Sequence, residues 1–265
     1  MRKLKKLKTI LEKMPSVLIA FSGGVDSCLL LKIAADTLGK NVLAVTAVSE
    51  TYPLEELIFA KKMARLLKVR HEIIRTSEIK NKKFFSNPSN RCYFCKKELF
   101  RRLKHIAHQQ KINFVLDASN LSDKKDFRPG NQAKKEFKVR SPLAEAGLTK
   151  DDIRRISKKL GLVTWDKPAQ ACLASRIPYG TKISTQLLRK INLAESFLKK
   201  EGFNQVRLRH YNIGLCRIEI LKNEFPLFFK KSNKVVEKLK KLGYNYITLD
   251  LEGYRSGSLN EVIKQ

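Results

Sequence analysis

The 265-residue chain lacks any apolar run long enough to cross a bilayer; its longest, residues 17–21 and 42–48, are strand-sized. It lacks a signal-peptide pattern as well. The basic start (Arg2, Lys3, Lys5, Lys6, Lys8) precedes only a short apolar stretch, which runs into Ser22-Gly23-Gly24 without a small-residue cleavage site. The expectation is a cytoplasmic protein with no membrane partner. Cysteine is scarce and odd in number (Cys28, Cys92, Cys95, Cys172, Cys216), which argues against a disulfide scaffold and raises the weight of thiol or metal chemistry. Acidic residues are few: 25 against 55 basic ones, a formal charge of +30. That imbalance suits a polyanion partner, yet the 38 lysines are scattered along the whole chain, as on a solvated surface. On charge alone the two readings balance. Internal repeats and low-complexity tracts are absent, and an apolar content of 43% excludes global disorder.

What is present alternates strand and helix. Helical spacing covers residues 3–13, 28–38, 53–67, 93–108 and 148–160, and continuous apolar runs mark strands at 16–21, 42–48, 69–75 and 114–117. Thr149 and Asp152 are spaced as a capping box with Asp in place of Glu. Strands of this kind between helices predict an α/β fold, a doubly wound parallel sheet covered on both faces. Residues 165–185 contain Pro168, Pro178 and Gly180 and show no period, so they read as a functional segment and a domain boundary. Beyond it, a helix at 185–200, a hairpin of strands at 205–211 and 215–221, a helix at 232–242 and a strand at 246–249 predict a smaller C-terminal α+β domain. The predicted organisation is 1–165, 166–184 as the segment carrying Cys172, and 185–265.

The first strand runs into Ser22-Gly23-Gly24-Val25-Asp26-Ser27 and then a helix. Two glycines let the backbone approach an anion, free N–H groups at the helix start point at phosphate oxygens, and Ser22 and Ser27 add hydroxyl donors. Asp26 would repel phosphate unless a cation intervenes, which implies Mg²⁺. A bare strand-to-helix turn explains one glycine and one cap, not two glycines, two serines and an aspartate together. No Gly-Lys-Ser/Thr follows, so this is not a Walker loop. It resembles the loop of the ATP pyrophosphatase superfamily (adenine-nucleotide α-hydrolase-like), whose members cleave ATP between its α- and β-phosphates and adenylate a substrate oxygen.

Cys92-Tyr93-Phe94-Cys95 sets two thiols at a helix start, where thiolates are favoured, and Cys172 follows in the irregular segment. Three thiolates could hold an iron–sulfur cluster with one iron open to sulfide. His105 and His108 make Cys2His2 zinc conceivable, though their spacing is tight and both fall within an amphipathic helix. A redox pair and plain packing are the other readings. Cys28 and Cys216 read as small core residues.

Residues 165–180 (Trp-Asp-Lys-Pro-Ala-Gln-Ala-Cys-Leu-Ala-Ser-Arg-Ile-Pro-Tyr-Gly) resemble the signature of the LarE family, ATP-dependent sulfur transferases of nickel-pincer cofactor synthesis (lactate racemase maturation). Residues 126–130, 140–143 and 249–258 resemble that family too, and the likeness runs from about Leu11 to Asn260. The resemblance implies adenylation of the carboxylates of a pyridinium-3,5-biscarboxylic acid mononucleotide and their conversion to thiocarboxylates. Some members sacrifice the sulfur of the cysteine matching Cys172. Others carry a Cys-x-x-Cys as well and hold a [4Fe-4S] cluster, and Cys92, Cys95 and Cys172 place this chain with them. The resemblance further implies catalytic roles for Cys172, Asp26 and Arg176, with three roles open to Arg176 beside Cys172 (holding substrate, depressing the thiol pKa or anchoring the loop), and nucleotide binding by Ser22 to Ser27, Asn120, Asp123 and Arg128. Arg207, Arg209 and Glu195 would bind substrate near a subunit interface of a homo-hexamer, giving 185–265 its role in phosphate binding and assembly. One departure stands out: Asp117-Ala118-Ser119-Asn120 replaces the family's Asp-Gly-Thr-Asn.

Rival functions are a tRNA thiolation enzyme of the same superfamily, an amidotransferase or NAD-type synthetase, and a non-enzymatic nucleic-acid binder. The charge suits tRNA, but no RNA-binding module accompanies it, so no nucleic-acid partner is expected. The second leaves the three cysteines idle, and the third leaves the loop unexplained. The sulfide donor is not legible.

Overall fold

The computed structural model describes residues 2–125, 129–168 and 170–263. They fall into two compact units, one of residues 1–84 and 90–170, the other of residues 85–89 and 171–265.

The first unit runs α1 (Arg2–Glu12), β1 (Val17–Ala20), α2 (Val25–Leu38), β2 (Val42–Val48), α3 (Leu54–Leu66), β3 (Arg70–Arg75), the short α4 (Lys82–Phe85) at its edge, α5 (Arg91–Gln109), β4 (Phe114–Leu116), α6 (Gly130–Glu136), α7 (Pro142–Glu145) and α8 (Lys150–Lys159). The four strands form an all-parallel sheet in the order β3-β2-β1-β4. Alternate residues of β1, β2 and β4 feed two separate cores. Val17, Ile19, Val42, Ala44 and Leu116 pack with apolar residues of α1, α2, α3 and α8. Leu18, Leu43, Val45 and Val115 pack with Phe100, Leu103 and Ala107 of α5 and Ala133 of α6. Both faces are covered, which is why β1 and β2 read as unbroken apolar runs rather than alternating ones. The α/β expectation therefore holds. At α8 the capping box forms as its spacing predicts: Thr149 Oγ1 accepts the Asp152 amide, and Asp152 Oδ2 accepts the Thr149 amide.

The strand order reverses direction at β1 and β4. In an open parallel sheet the crevice beyond the carboxyl ends of such neighbours is where ligands bind. The segments that leave β1 and β4 are the phosphate loop and Asp117–Asn120.

The second unit contains α9 (Thr185–Lys200), β5 (Arg207–Tyr211), β6 (Leu215–Glu219), α10 (Phe225–Lys230), α11 (Ser232–Lys241) and β7 (Tyr246–Leu249). β5 and β6 make the expected antiparallel hairpin, and β7 adds parallel to β6. Residues 85–89 join this unit through Asn87. Its side-chain amide donates to the carbonyls of Pro178 (2.8 Å), Thr181 (3.0 Å) and Ile177 (3.3 Å), and its own carbonyl accepts the Gly180 amide (2.9 Å). No helix among the described residues is long and apolar enough to cross a membrane.

Candidate active site

The phosphate loop is shorter than the sequence suggests, because α2 begins at Val25. Val25, Asp26 and Ser27 thus occupy the first helical turn, and the N-cap Gly24 supplies no side-chain bond to that turn's amides. Uncapped N–H groups at a helix start are the donors an anion needs. Gly23 takes a left-handed φ of 71°, and a Cβ there would lie 3.0 Å from Ala60 Cα on α3. Only glycine satisfies both demands. Ser27 Oγ donates to the Gly24 carbonyl (3.0 Å), and Ser22 Oγ stands 3.2 Å from Ser27 Oγ. Cys28, one residue further, is wholly buried, and burial pushes its thiol up to about 12.

The β4 segment meets this helix. Asn120 Nδ2 donates to Asp26 Oδ1 (3.2 Å), and the Asn120 amide donates to Asp123 Oδ2 (3.0 Å). Burial, followed by the charge of Asp123, raises the Asp26 carboxyl above its ordinary range, although Asn120's hydrogen bond offsets part of this. Asn120 is buried, and its Oδ1 has no hydrogen-bond partner among the described residues. A half-buried carboxylate (Asp26), a buried one (Asp123) and an orphaned amide oxygen are a hard-oxygen donor set that suits Mg²⁺. At the departure from the family pattern, Ser119 Oγ donates to Asp117 Oδ2 (2.7 Å) and Ser141 Oγ donates to Asp117 Oδ1. The hydroxyl is retained and occupied. Arg128, with Asp126 and Phe127, lies outside the described residues.

Cys92 and Cys95 sit in the first turns of α5, exposed and half-buried respectively. Cys95 Sγ donates to Glu78 Oε1 (3.5 Å), and Glu78 is itself buried and held by Thr76 Oγ1 (3.1 Å). Glu78 was not singled out from sequence; its one signal is an acidic residue shortly before the cysteine pair. His105 and His108 lie exposed on the same helix. Among the described residues no three His, Cys, Asp or Glu side chains are gathered as metal ligands.

In the second unit Cys172 presents an exposed thiol from a fixed backbone. Its carbonyl accepts from the Ser175 amide (2.9 Å), Ser175 Oγ (2.8 Å) and Arg176 Nη1 (3.1 Å). Arg176 is fully buried. It forks onto Glu195 of α9 through Nε and Nη2 (both 2.8 Å), and its Nη1 also reaches the Ala171 carbonyl (2.8 Å). Burial alone would raise the Glu195 carboxyl, but Arg176's charge and hydrogen bonds, with the Leu208 amide, hold it below its ordinary value. Sequence reasoning set Arg207 and Arg209 on one face of a strand, and both are buried there. Arg209 forks onto Glu219 (2.9 Å twice) and donates to Ser258 Oγ and the Ser175 carbonyl (both 2.6 Å). Arg207 lies 5.3 Å from the Tyr254 ring centre, and burial followed by Arg176's charge lowers it to about 10. Glu219, Tyr254 and Ser258 complete this cluster; the last two belong to the C-terminal motif, whose residue types did not reveal which would turn inward.

A parallel sheet with a glycine loop and acidic partners at its switch point defines the class as an ATP pyrophosphatase-type enzyme. The comparisons agree. Residues 8–86 match the asparagine synthase family. The chain is 44% identical to an uncharacterized protein of Synechocystis sp., over 98% of both chains. It is 36% identical to the pyridinium-3,5-bisthiocarboxylic acid mononucleotide synthase of Lactiplantibacillus plantarum, over 97% of this chain and 93% of that one. An uncharacterized protein of Methanocaldococcus jannaschii is 32% identical over 97% and 98%. The chain belongs to the LarE family, and it is an ATP-dependent enzyme of the sulfurtransferase type.

Proposed function

We propose that this enzyme adenylates the carboxylates of a pyridinium-3,5-biscarboxylic acid mononucleotide and replaces an oxygen of each with sulfur. The observation that carries the reading is the near full-length identity to the Lactiplantibacillus plantarum synthase, in a chain whose phosphate loop and Cys172 segment are both built for such chemistry. A substrate carboxylate oxygen attacks the α-phosphorus of ATP, and pyrophosphate leaves. Sulfur then attacks the activated carbonyl, and AMP leaves with the former carboxylate oxygen. AMP is a good leaving group where a bare oxide is not.

The chain's own residues divide the work. Ser22 to Ser27 cradle the phosphates through amides and hydroxyls. Asp26, Asn120 and Asp123 would hold Mg²⁺, which offsets phosphate charge when bound. Arg128 contributes to the nucleotide site as the family resemblance implies. Arg176 and Glu195 fix the backbone that presents Cys172. Arg207 and Arg209 supply positive charge for the substrate phosphate. Cys92, Cys95 and Cys172 would hold a [4Fe-4S] cluster, which would supply an iron site for sulfide; the exposed Cys92 thiol at the α5 start supports thiolate ligation. A homo-hexamer is part of the same reading.

The test is iron and acid-labile sulfide per chain after anaerobic reconstitution, beside Cys92→Ala and Cys172→Ala. About four irons per wild-type chain, lost in both variants, is expected. Product formation without iron would leave Cys172 as a sacrificial donor. A chain that releases no pyrophosphate with ATP and the pyridinium mononucleotide would overturn the reading as a whole.

A further inference from the structure

A phosphate loop binds an anion only when its N–H groups face the ligand, so its carbonyls need donors on the opposite side. Three successive carbonyls here have them. Gly24 O is satisfied within its own helix by the Cys28 amide (2.9 Å) and Ser27 Oγ. The other two depend on distant side chains. Tyr52 Oη donates to the Ser22 carbonyl (2.9 Å), and Lys167 Nζ donates to the Gly23 carbonyl (3.4 Å).

Lys167 is held in place from every side. Its ammonium lies 2.7 Å from Glu56 Oε2, with both side chains under one-fifth exposed, and 3.6 Å from the Phe59 ring centre. Arg154 donates to the Trp165 carbonyl (2.8 Å) and the Lys167 carbonyl (2.9 Å), and the Lys167 amide donates to Thr164 O (3.0 Å). Glu56 belongs to the first turn of α3, where a carboxylate complements the helix dipole. The same helix carries Ala60, against which Gly23 packs.

The geometry points to Lys167 as a positioning residue of the nucleotide site, with Tyr52 as its partner. The ammonium, anchored on Glu56 and Phe59, holds the Gly23 carbonyl on the α3 side, so the amides that follow face the triphosphate. Tyr52 does the same one peptide earlier. This rests on the loop being the ATP site. A methionine at 167 keeps the packing on Phe59 but donates nothing, whereas arginine keeps both charge and donor.

The experiment measures binding of α,β-methylene ATP with Mg²⁺ by calorimetry, and KM for ATP against kcat in pyrophosphate release, for Lys167→Met, Lys167→Arg and Tyr52→Phe. Lys167→Met should weaken binding about tenfold or more, with a matching rise in KM and a far smaller change in kcat. Lys167→Arg should recover most of the loss. Tyr52→Phe removes a single oxygen and should weaken binding about threefold; it decides the matter if Lys167→Met does not fold. Wild-type affinity in both Lys167→Met and Tyr52→Phe, or a loss confined to kcat, would overturn the proposal. A wild-type chain that binds no analogue would overturn the ATP reading of the loop and this proposal with it.

Discussion

The Arg176–Glu195 pair offers a way to separate stability from sulfur chemistry. Both side chains are buried, and the fork is bidentate. Removing one partner of a buried pair strands the other charge and costs about 3–5 kcal/mol. Glu195→Ala should therefore lower unfolding free energy by about that much, measured by urea unfolding with far-ultraviolet circular dichroism. The double variant Arg176→Met/Glu195→Gln removes both charges while glutamine still accepts the Leu208 amide, so stability should return to within about 2 kcal/mol of wild type. Activity should not return with it. Cys172 loses one of three donors to its carbonyl, so sulfur transfer should fall about tenfold or more, while pyrophosphate release from the other unit changes much less. The pH dependence has a definite sign. Glu195's carboxyl is depressed in the folded state, so its stabilisation is complete above the ordinary glutamate value and is lost as pH falls through the folded one. The acid limb of a stability profile should thus be shallower in the double variant. Refutation would come from a double variant as active as wild type, or from a Glu195→Ala cost below about 1 kcal/mol.

Three other perturbations test the remaining architecture. Asp26 is an acid whose folded pKa is raised, so its charge destabilises the fold above that pKa; the penalty starts to shrink as pH drops through it and is gone below the ordinary aspartate value. Asp26→Asn should gain about 0.5–2 kcal/mol at neutral pH in chelator and lose Mg²⁺-dependent nucleotide binding; equal stability would contradict the burial argument. Gly23→Ala forces a Cβ to 3.0 Å from Ala60 Cα at a left-handed φ, so calorimetry should show nucleotide affinity falling about tenfold or more. Thr149→Ala removes the side-chain half of the α8 capping box and should cost about 1 kcal/mol in thermal or urea unfolding, without affecting nucleotide affinity.

The layered part of the fold was legible because both faces of the sheet are covered, so β1 and β2 announce themselves as apolar runs and α2 as a nearly continuous buried helix. The phosphate loop was legible because its chemistry is local: two glycines, two serines and an aspartate within six residues. Helix α6 was not, since Gly-Asn-Gln-Ala-Lys-Lys-Glu has no apolar period and buries only Ala133. The parallel pairing of β7 with β6 was hidden because strand order depends on contacts far apart in sequence. The burial of Arg176 and Arg209 was hidden for a related reason. Arginine usually signals solvent or ligand, and the carboxylates that offset its burial, Glu195 and Glu219, lie 19 and 10 residues away in sequence. Tyr52 and Lys167 carry no local signal at all; their meaning lies in which carbonyls they reach.

Asn87 gives the second unit an unusual genealogy. The support beneath residues 177–181 is written some ninety positions upstream of them, inside the coding span of the other unit. Recombination that joined or detached everything after Gln170 would transfer the thiol-bearing segment without its brace. A fragment beginning at Ala171 would therefore need the 85–89 peptide supplied in trans to recover the same loop.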